Sequence, residues 1–139
     1  MVKIFVYGSL CTGMYNYERY LQGKVQHTQR AYVKGDLFQL QGVRYPALLE
    51  GDAYVAGELM EINDDGIVST LDGLEEYFGE NHPDNLYDKR ICKIYNEDKE
   101  ALAEVPVYFY NIRKQSQFET LGPRIEGQDF VAFYHRNHK

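Results

Sequence analysis

Residues Val2–Leu10, VKIFVYGSL, form a nearly continuous apolar run that stops at Tyr7-Gly8-Ser9. A strand this hydrophobic reads as a central one, covered on both faces. Its abrupt end admits two readings. The glycine-serine turn is a plain connector, or its backbone N–H groups are held open for a ligand, since successive free amides form an anion or oxyanion cradle. No G-x-G-x-x-G or G-x-x-x-x-G-K-[ST] pattern follows, so it is not a nucleotide fingerprint.

Working outward, NYERYLQG places Tyr17, Tyr20 and Leu21 at helical spacing, with Gly23 as a stop. VQHTQRAYVKGDLFQL reads as one or two strands with Gly35 as a bend or bulge. A turn at Pro46 precedes a strand from about Tyr54 to Ile62. NDDGIVSTLDGLEEYFG is the strongest helix signal, capped by Asn63 or Asp64 and ended by Gly79. After the turn-rich ENHPDN, two strands follow, LYDKRICKIYN and VPVYFYNIR, joined by the polar turn EDKEALAE. The segment from Gln115 to Lys139 is a polar tail with an apolar patch at Phe130 to Tyr134. These elements predict one α+β domain over residues 1–139, a small, mixed and partly closed β-barrel flanked by helices.

Composition narrows the function. The net charge is −6 and the basic residues are scattered, which argues against a nucleic-acid partner. No segment approaches the roughly 20 apolar residues needed to span a bilayer, and Lys3 is followed by too short an apolar run for a signal peptide. Two cysteines, Cys11 and Cys92, build no disulfide framework and suit a reducing compartment, so the expectation is a cytoplasmic protein without a membrane partner. Thirteen tyrosines and no tryptophan favour a pocket whose apolar walls carry hydroxyls.

The second helix holds the most informative residue. At about 100° per residue, Ile67, Val68, Leu74 and Phe78 fall within about 60° of Leu71 and define the apolar face. Glu75 falls about 40° from Leu71, inside that face, whereas Glu76 falls about 140° away. A carboxylate in an apolar arc is costly unless paired or protonated, and desolvation raises its pKa. That is also what a general acid/base near neutral pH requires. The bland alternative is a Glu75 that snorkels from the helix end or pairs with an arginine such as Arg90.

VYGSL after the first strand, GDLFQL and YPALL, VAGELMEI, LDGLEEY on a helix, then LYDKRICKIY resemble the γ-glutamylcyclotransferase-like superfamily, in its AIG2-like branch. The similarity spans roughly residues 2 to 113, in the family's order and spacing. The resemblance implies a small barrel in which the Y-G-S-L loop, here Tyr7, Gly8, Ser9 and Leu10, holds the γ-glutamyl portion of a small-molecule substrate. It implies that the glutamate of L-D-x-x-E, here Glu75, is the general acid/base. Tyr87 and Tyr110 are further candidates for pocket hydroxyls. The implied reaction is attack of the substrate's α-amine on its own γ-amide carbonyl, giving 5-oxoproline and a free amine or amino acid, with no metal and no cofactor. Leu10 stands where glutathione-cycle members often carry asparagine, which bears on specificity for γ-glutamyl amino acids. The longer loop EYFGENHPDN is a candidate pocket wall.

Four alternatives stand beside this reading. Cys11 just beyond the turn suggests a cysteine–histidine nucleophile, although His27, His82, His135 and His138 sit in no nucleophile signature. His135 and His138 are spaced for a shared metal on a helix, against the simpler reading of a solvated tail. A non-catalytic module binding a small anionic metabolite would keep the fold, and a tailoring enzyme removing a γ-glutamyl protecting group would keep the chemistry. The leaving amine and the oligomeric state stay open at this level.

Overall fold

The computed structural model describes residues 2–42, 45–113 and 115–137. Its strands are Val2–Val6 (β1), Val25–Leu40 (β2), Ala47–Ile62 (β3), Tyr87–Tyr95 (β4), Ala101–Tyr110 (β5) and Leu121–Arg124 (β6). A π-helical turn, Tyr17–Leu21, follows β1, and the helices are Ile67–Leu74 (α1), Gln115–Phe118 (α2) and Phe130–Asn137 (α3). Every pairing is antiparallel, in the order β1-β3-β2-β4-β5 with β6 added to β2.

The sheet curls on itself. Strands β2 and β3 pair over most of their length, whereas β2 and β4 meet only at Tyr32 and Tyr95. The β4–β5 hairpin therefore swings across, and β5 comes to lie beside β1 without a ladder between them. The result is an α+β fold with a partly closed barrel. β1 sits at the end of the hydrogen-bonded order rather than in its centre; its residues Ile4, Phe5 and Val6 are buried because β5 and the barrel interior cover them. Gly57 makes the β1–β3 approach possible, since a Cβ there would lie 2.2 Å from the Val6 carbonyl oxygen.

Gly35 is a bend, as expected: the β2–β3 register shifts between Lys34 and Asp36. Because the strands re-pair beyond it, β3 begins at Ala47 rather than near Tyr54, and β2 is one strand. β5 likewise begins at Ala101, because Asn96 closes a tight hairpin by accepting the N–H groups of Asp98 and Glu100 on its side-chain oxygen. The polar tail also folds. β6 joins β2, and Gln128 is buried with its side-chain oxygen on the Leu37 N–H (2.8 Å) and its amide on Asp36 (3.0 Å). Phe130 of α3 then enters the main core.

α1 ends earlier than its periodicity suggests. Glu75 donates its N–H to Leu71, Glu76 to Gly73 and Tyr77 to Asp72, with Glu76 in the left-handed region (φ 52°). This is the 6→1 and 5→2 closure that terminates helices, built here on a glutamate instead of a glycine. The helical period stops there, so Phe78 is 58% exposed; Val68, in the first turn of α1, is exposed as well, while Ile67 and Leu71 are buried. Gly66 is the residue before the helix, and Asp64 accepts the Gly66 N–H while pairing with Lys24 instead of capping.

Candidate active site

A cleft of about 370 Å³, counted to its open mouth, forms where the end of β1, the end of α1 and strands β4 and β5 converge. Tyr7, Gly8, Ser9 and Leu10 line one side, and Glu75 and Tyr87 line it as well. Six of the seven residues singled out from the sequence thus meet in one place. Tyr110 does not: it stands behind Tyr87, edge to face at 5.4 Å, and its hydroxyl pairs with that of Thr120 at 2.7 Å. The sequence reading missed Phe5, Val6, Tyr45 and Pro46 as wall residues. Tyr108 is also in the wall. The 76–85 loop forms no part of the lining; Asn85, fully buried, folds it on itself through Phe78 N–H (2.6 Å) and the Gly79 carbonyl (2.8 Å).

The turn after β1 is held by its carbonyls. Gly8 C=O accepts the Cys11 N–H at 3.0 Å, and Ser9 C=O accepts the N–H groups of Asn16 and Tyr17 at 3.0 and 3.2 Å. The Ser9 hydroxyl accepts from the Asn16 amide at 2.8 Å. In a trans peptide the N–H points opposite its carbonyl. The Ser9 and Leu10 N–H groups therefore point away from those bonds, and among the described residues the N–H groups of Gly8, Ser9 and Leu10 donate to no protein acceptor. Gly8 is a glycine for lack of room: a Cβ would press on the Pro46 ring at 3.0 Å. Further along the same loop, Glu58 of β3 accepts both the N–H and the hydroxyl of Thr12 at 2.7 Å.

Glu75 is half-buried, and burial pushes its carboxyl up from 4.5 to about 7. Its position at the carbonyl end of α1 acts in the same direction. Among the described residues its carboxyl has no hydrogen-bonding or ion-pair partner. The arginine that might have neutralised it does otherwise: Arg90 pairs with Glu50 and lies over the Phe109 ring at 4.9 Å. Three residues earlier, Asp72 is fully engaged, accepting from the Tyr108 hydroxyl at 2.6 Å and pairing with Lys89 at 2.9 Å.

The tyrosines are walls with their protons committed. Tyr7 donates to the Tyr108 carbonyl at 2.6 Å and Tyr87 to the Pro46 carbonyl at 2.5 Å. Burial, with the Glu75 charge adding, raises the pKa of Tyr7, Tyr87 and Tyr108, so these phenols stay neutral. Glu75 is then the cleft residue able to exchange a proton near neutral pH. Cys11 is not a competitor, since it is buried, hydrogen-bonds the Val6 carbonyl, and has its thiol pushed up by burial and the nearby Glu58 carboxylate. Of the paired histidines, His135 is exposed on α3 and His138 lies outside the described residues. No helix among the described residues is long and apolar enough to cross a membrane.

The β1 turn with its unengaged amides and Glu75, without a partner among the described residues, thus line one tyrosine-walled cleft. The model of the gamma-glutamyl cyclotransferase, AIG2-like family matches residues 4–132, and the chain belongs to that family as a γ-glutamylcyclotransferase-like enzyme. It is 33% identical over 108 residues to the gamma-L-glutamyl-butirosin B gamma-glutamyl cyclotransferase of Niallia circulans, covering 78% of this chain and 67% of that one. A Methanocaldococcus jannaschii relative, MJ1514, is 29% identical, with 96% of this chain and 98% of that one covered. The fold is similar to the crystal structure of an AIG2-like protein from Mus musculus, with a TM-score of 0.67, 22% identity and 88% and 85% of the two chains covered. YkqA from Bacillus subtilis superposes with a TM-score of 0.65 at 21% identity over 97% of this chain, which spans 41% of that longer protein.

Proposed function

We propose that the protein cleaves a γ-glutamyl amide by attack of the substrate's own α-amine on its γ-carbonyl carbon, releasing 5-oxoproline and a free amine. The observation that carries this reading is the Glu75 carboxyl, lining the cleft without a partner among the described residues and with a pKa of about 7. Glu75 takes a proton from the α-ammonium, the amine nitrogen closes the five-membered ring, and the C–N bond to the leaving group breaks. That proton passes from Glu75 to the leaving nitrogen, and the ring nitrogen then gives up its second proton through the same carboxyl to the released amine, which leaves a neutral lactam and an ammonium, so acid and base roles fall on one carboxyl. The amides of Gly8, Ser9 and Leu10 hold the substrate's α-carboxylate or the oxyanion that forms at the γ-carbonyl.

Nucleophile and electrophile share one molecule, so holding the substrate folded supplies much of the acceleration. Well-oriented intramolecular attack is worth about 7–11 kcal/mol in favourable cases. The buried walls of Phe5, Val6 and Tyr87 favour that compact conformer by excluding water. A metabolite-binding module would gain nothing from a half-buried carboxyl with no partner among the described residues, which repels an anionic ligand. The reading is tested by incubating the protein with γ-glutamyl amines and γ-glutamyl amino acids and measuring 5-oxoproline. Turnover of one member that Glu75→Gln abolishes supports it; full activity in Glu75→Gln ends it.

A further inference from the structure

A second concavity, about 590 Å³ to its open side, adjoins the cleft across Tyr45, whose ring lines both. Leu40 and Tyr110 of its lining belong to the small core cluster that also holds Tyr87, with Leu86 packed against it. From this continuity we infer that the groove is the leaving-group subsite, and that it accepts amines whose substituent is an uncharged alkyl or aryl chain. The inference rests on the cyclotransferase reading, because it places the leaving nitrogen at Glu75 and lets its substituent run past Tyr45.

Two features select the chemistry. None of the described lining residues is charged: Leu40, Leu86, Tyr45 and Tyr110 supply apolar area, and Gln41, Ser116, Gln117 and Thr120 are neutral. Three of the polar side chains, those of Gln117, Tyr110 and Thr120, are also engaged within the protein. The Gln117 amide donates to the Asn111 carbonyl (2.7 Å) and the Leu86 carbonyl (3.1 Å). The Tyr110 and Thr120 hydroxyls bond each other, and Thr120 donates to the Gln117 carbonyl at 2.6 Å. A leaving amino acid would bring a carboxylate into this groove with no cation on the described walls, and an unpaired charge is expensive to desolvate. A hydrocarbon chain gains with each methylene removed from water.

The test is a kinetic series of γ-glutamyl-methylamide, -propylamide, -hexylamide and -octylamide, with γ-glutamylglycine as the charged counterpart of the propylamide. We expect kcat/KM to rise about two- to fourfold per added methylene until the groove is filled, and γ-glutamylglycine to fall at least about tenfold below the propylamide. Leu86→Lys should flatten the series and raise γ-glutamylglycine relative to it. Should that variant not fold, Gln41→Lys at the exposed rim gives the same reading. Turnover that is independent of chain length in the wild type overturns the subsite while leaving the cyclotransferase reading intact. Should no member turn over, that reading falls, and titration calorimetry on Glu75→Gln decides the groove separately: equal affinity for octylamide and methylamide overturns it, and tighter octylamide binding upholds it.

Discussion

Asp72 and Glu75 stand one helical turn apart in the same L-D-x-x-E stretch, yet their carboxyls live in opposite surroundings. Asp72 is tied to Lys89 and the Tyr108 hydroxyl, while Glu75 has neither cation nor donor among the described residues and rises to about 7. The difference teaches how a short segment divides labour. Asp72 anchors the wall, since Tyr108 also receives Tyr7 on its carbonyl, linking α1, β4, β5 and the end of β1. Glu75, left alone beside that wall, is free to exchange a proton.

The largest break in this contrast comes from Glu75→Gln. We expect 5-oxoproline release to fall about 100- to 10,000-fold, as for loss of a general acid/base. In the wild type, kcat/KM should climb with pH through a limb near 7 that the variant lacks. Stability gives the opposite sign. Because the folded pKa lies above the unfolded one, the native state binds the extra proton and the wild type loses stability as pH rises from about 4.5 to about 7. Denaturation at pH 8 should show Glu75→Gln no less stable than wild type, by up to the order of 3 kcal/mol; a large loss would mean an unseen partner.

Asp72→Ala should cost about 1–3 kcal/mol in urea denaturation, because it strands Lys89 and the Tyr108 hydroxyl in a half-buried site. Asp72→Asn keeps an acceptor for Tyr108 and should recover part of that loss. If both variants abolish turnover as completely as Glu75→Gln, with stability unchanged, the division of labour is wrong.

Glu58→Ala tests the far end of the cradle loop. It removes both Thr12 bonds and should raise KM about three- to tenfold while kcat changes less, since the loop keeps its Asn16 and Tyr17 bonds. The smallest effect belongs to the exposed Arg90–Glu50 pair. Arg90→Gln should shift stability by less than about 1 kcal/mol and leave activity near wild type. A marked gain or loss of activity would mean that Arg90 reaches Glu75 after all.

Much of this was legible in the chain. The apolar run into Tyr7-Gly8-Ser9, the bend at Gly35 and the inward direction of Glu75 follow from local chemistry and helical periodicity, and all three stand in the fold. The errors have two causes. Phe78 was placed by extending a period that Glu76 breaks with a left-handed turn, a position where sequence leads one to look for glycine. The starts of β3 and β5 and the whole of β6 depend on partner strands, which exert no pattern on their own neighbours in sequence.

By itself, then, the sequence determined which way each glutamate faces and where the first strand must stop, because side-chain direction and turn chemistry are local properties. Only the tertiary structure decided that Glu75 has no partner among the described residues, that Lys89 answers Asp72 while Arg90 answers Glu50, and that Tyr87 enters the cleft while Tyr110 stands behind it. Those outcomes hang on which of several distant groups arrives within bonding distance, and strand pairing across the curled sheet sets that.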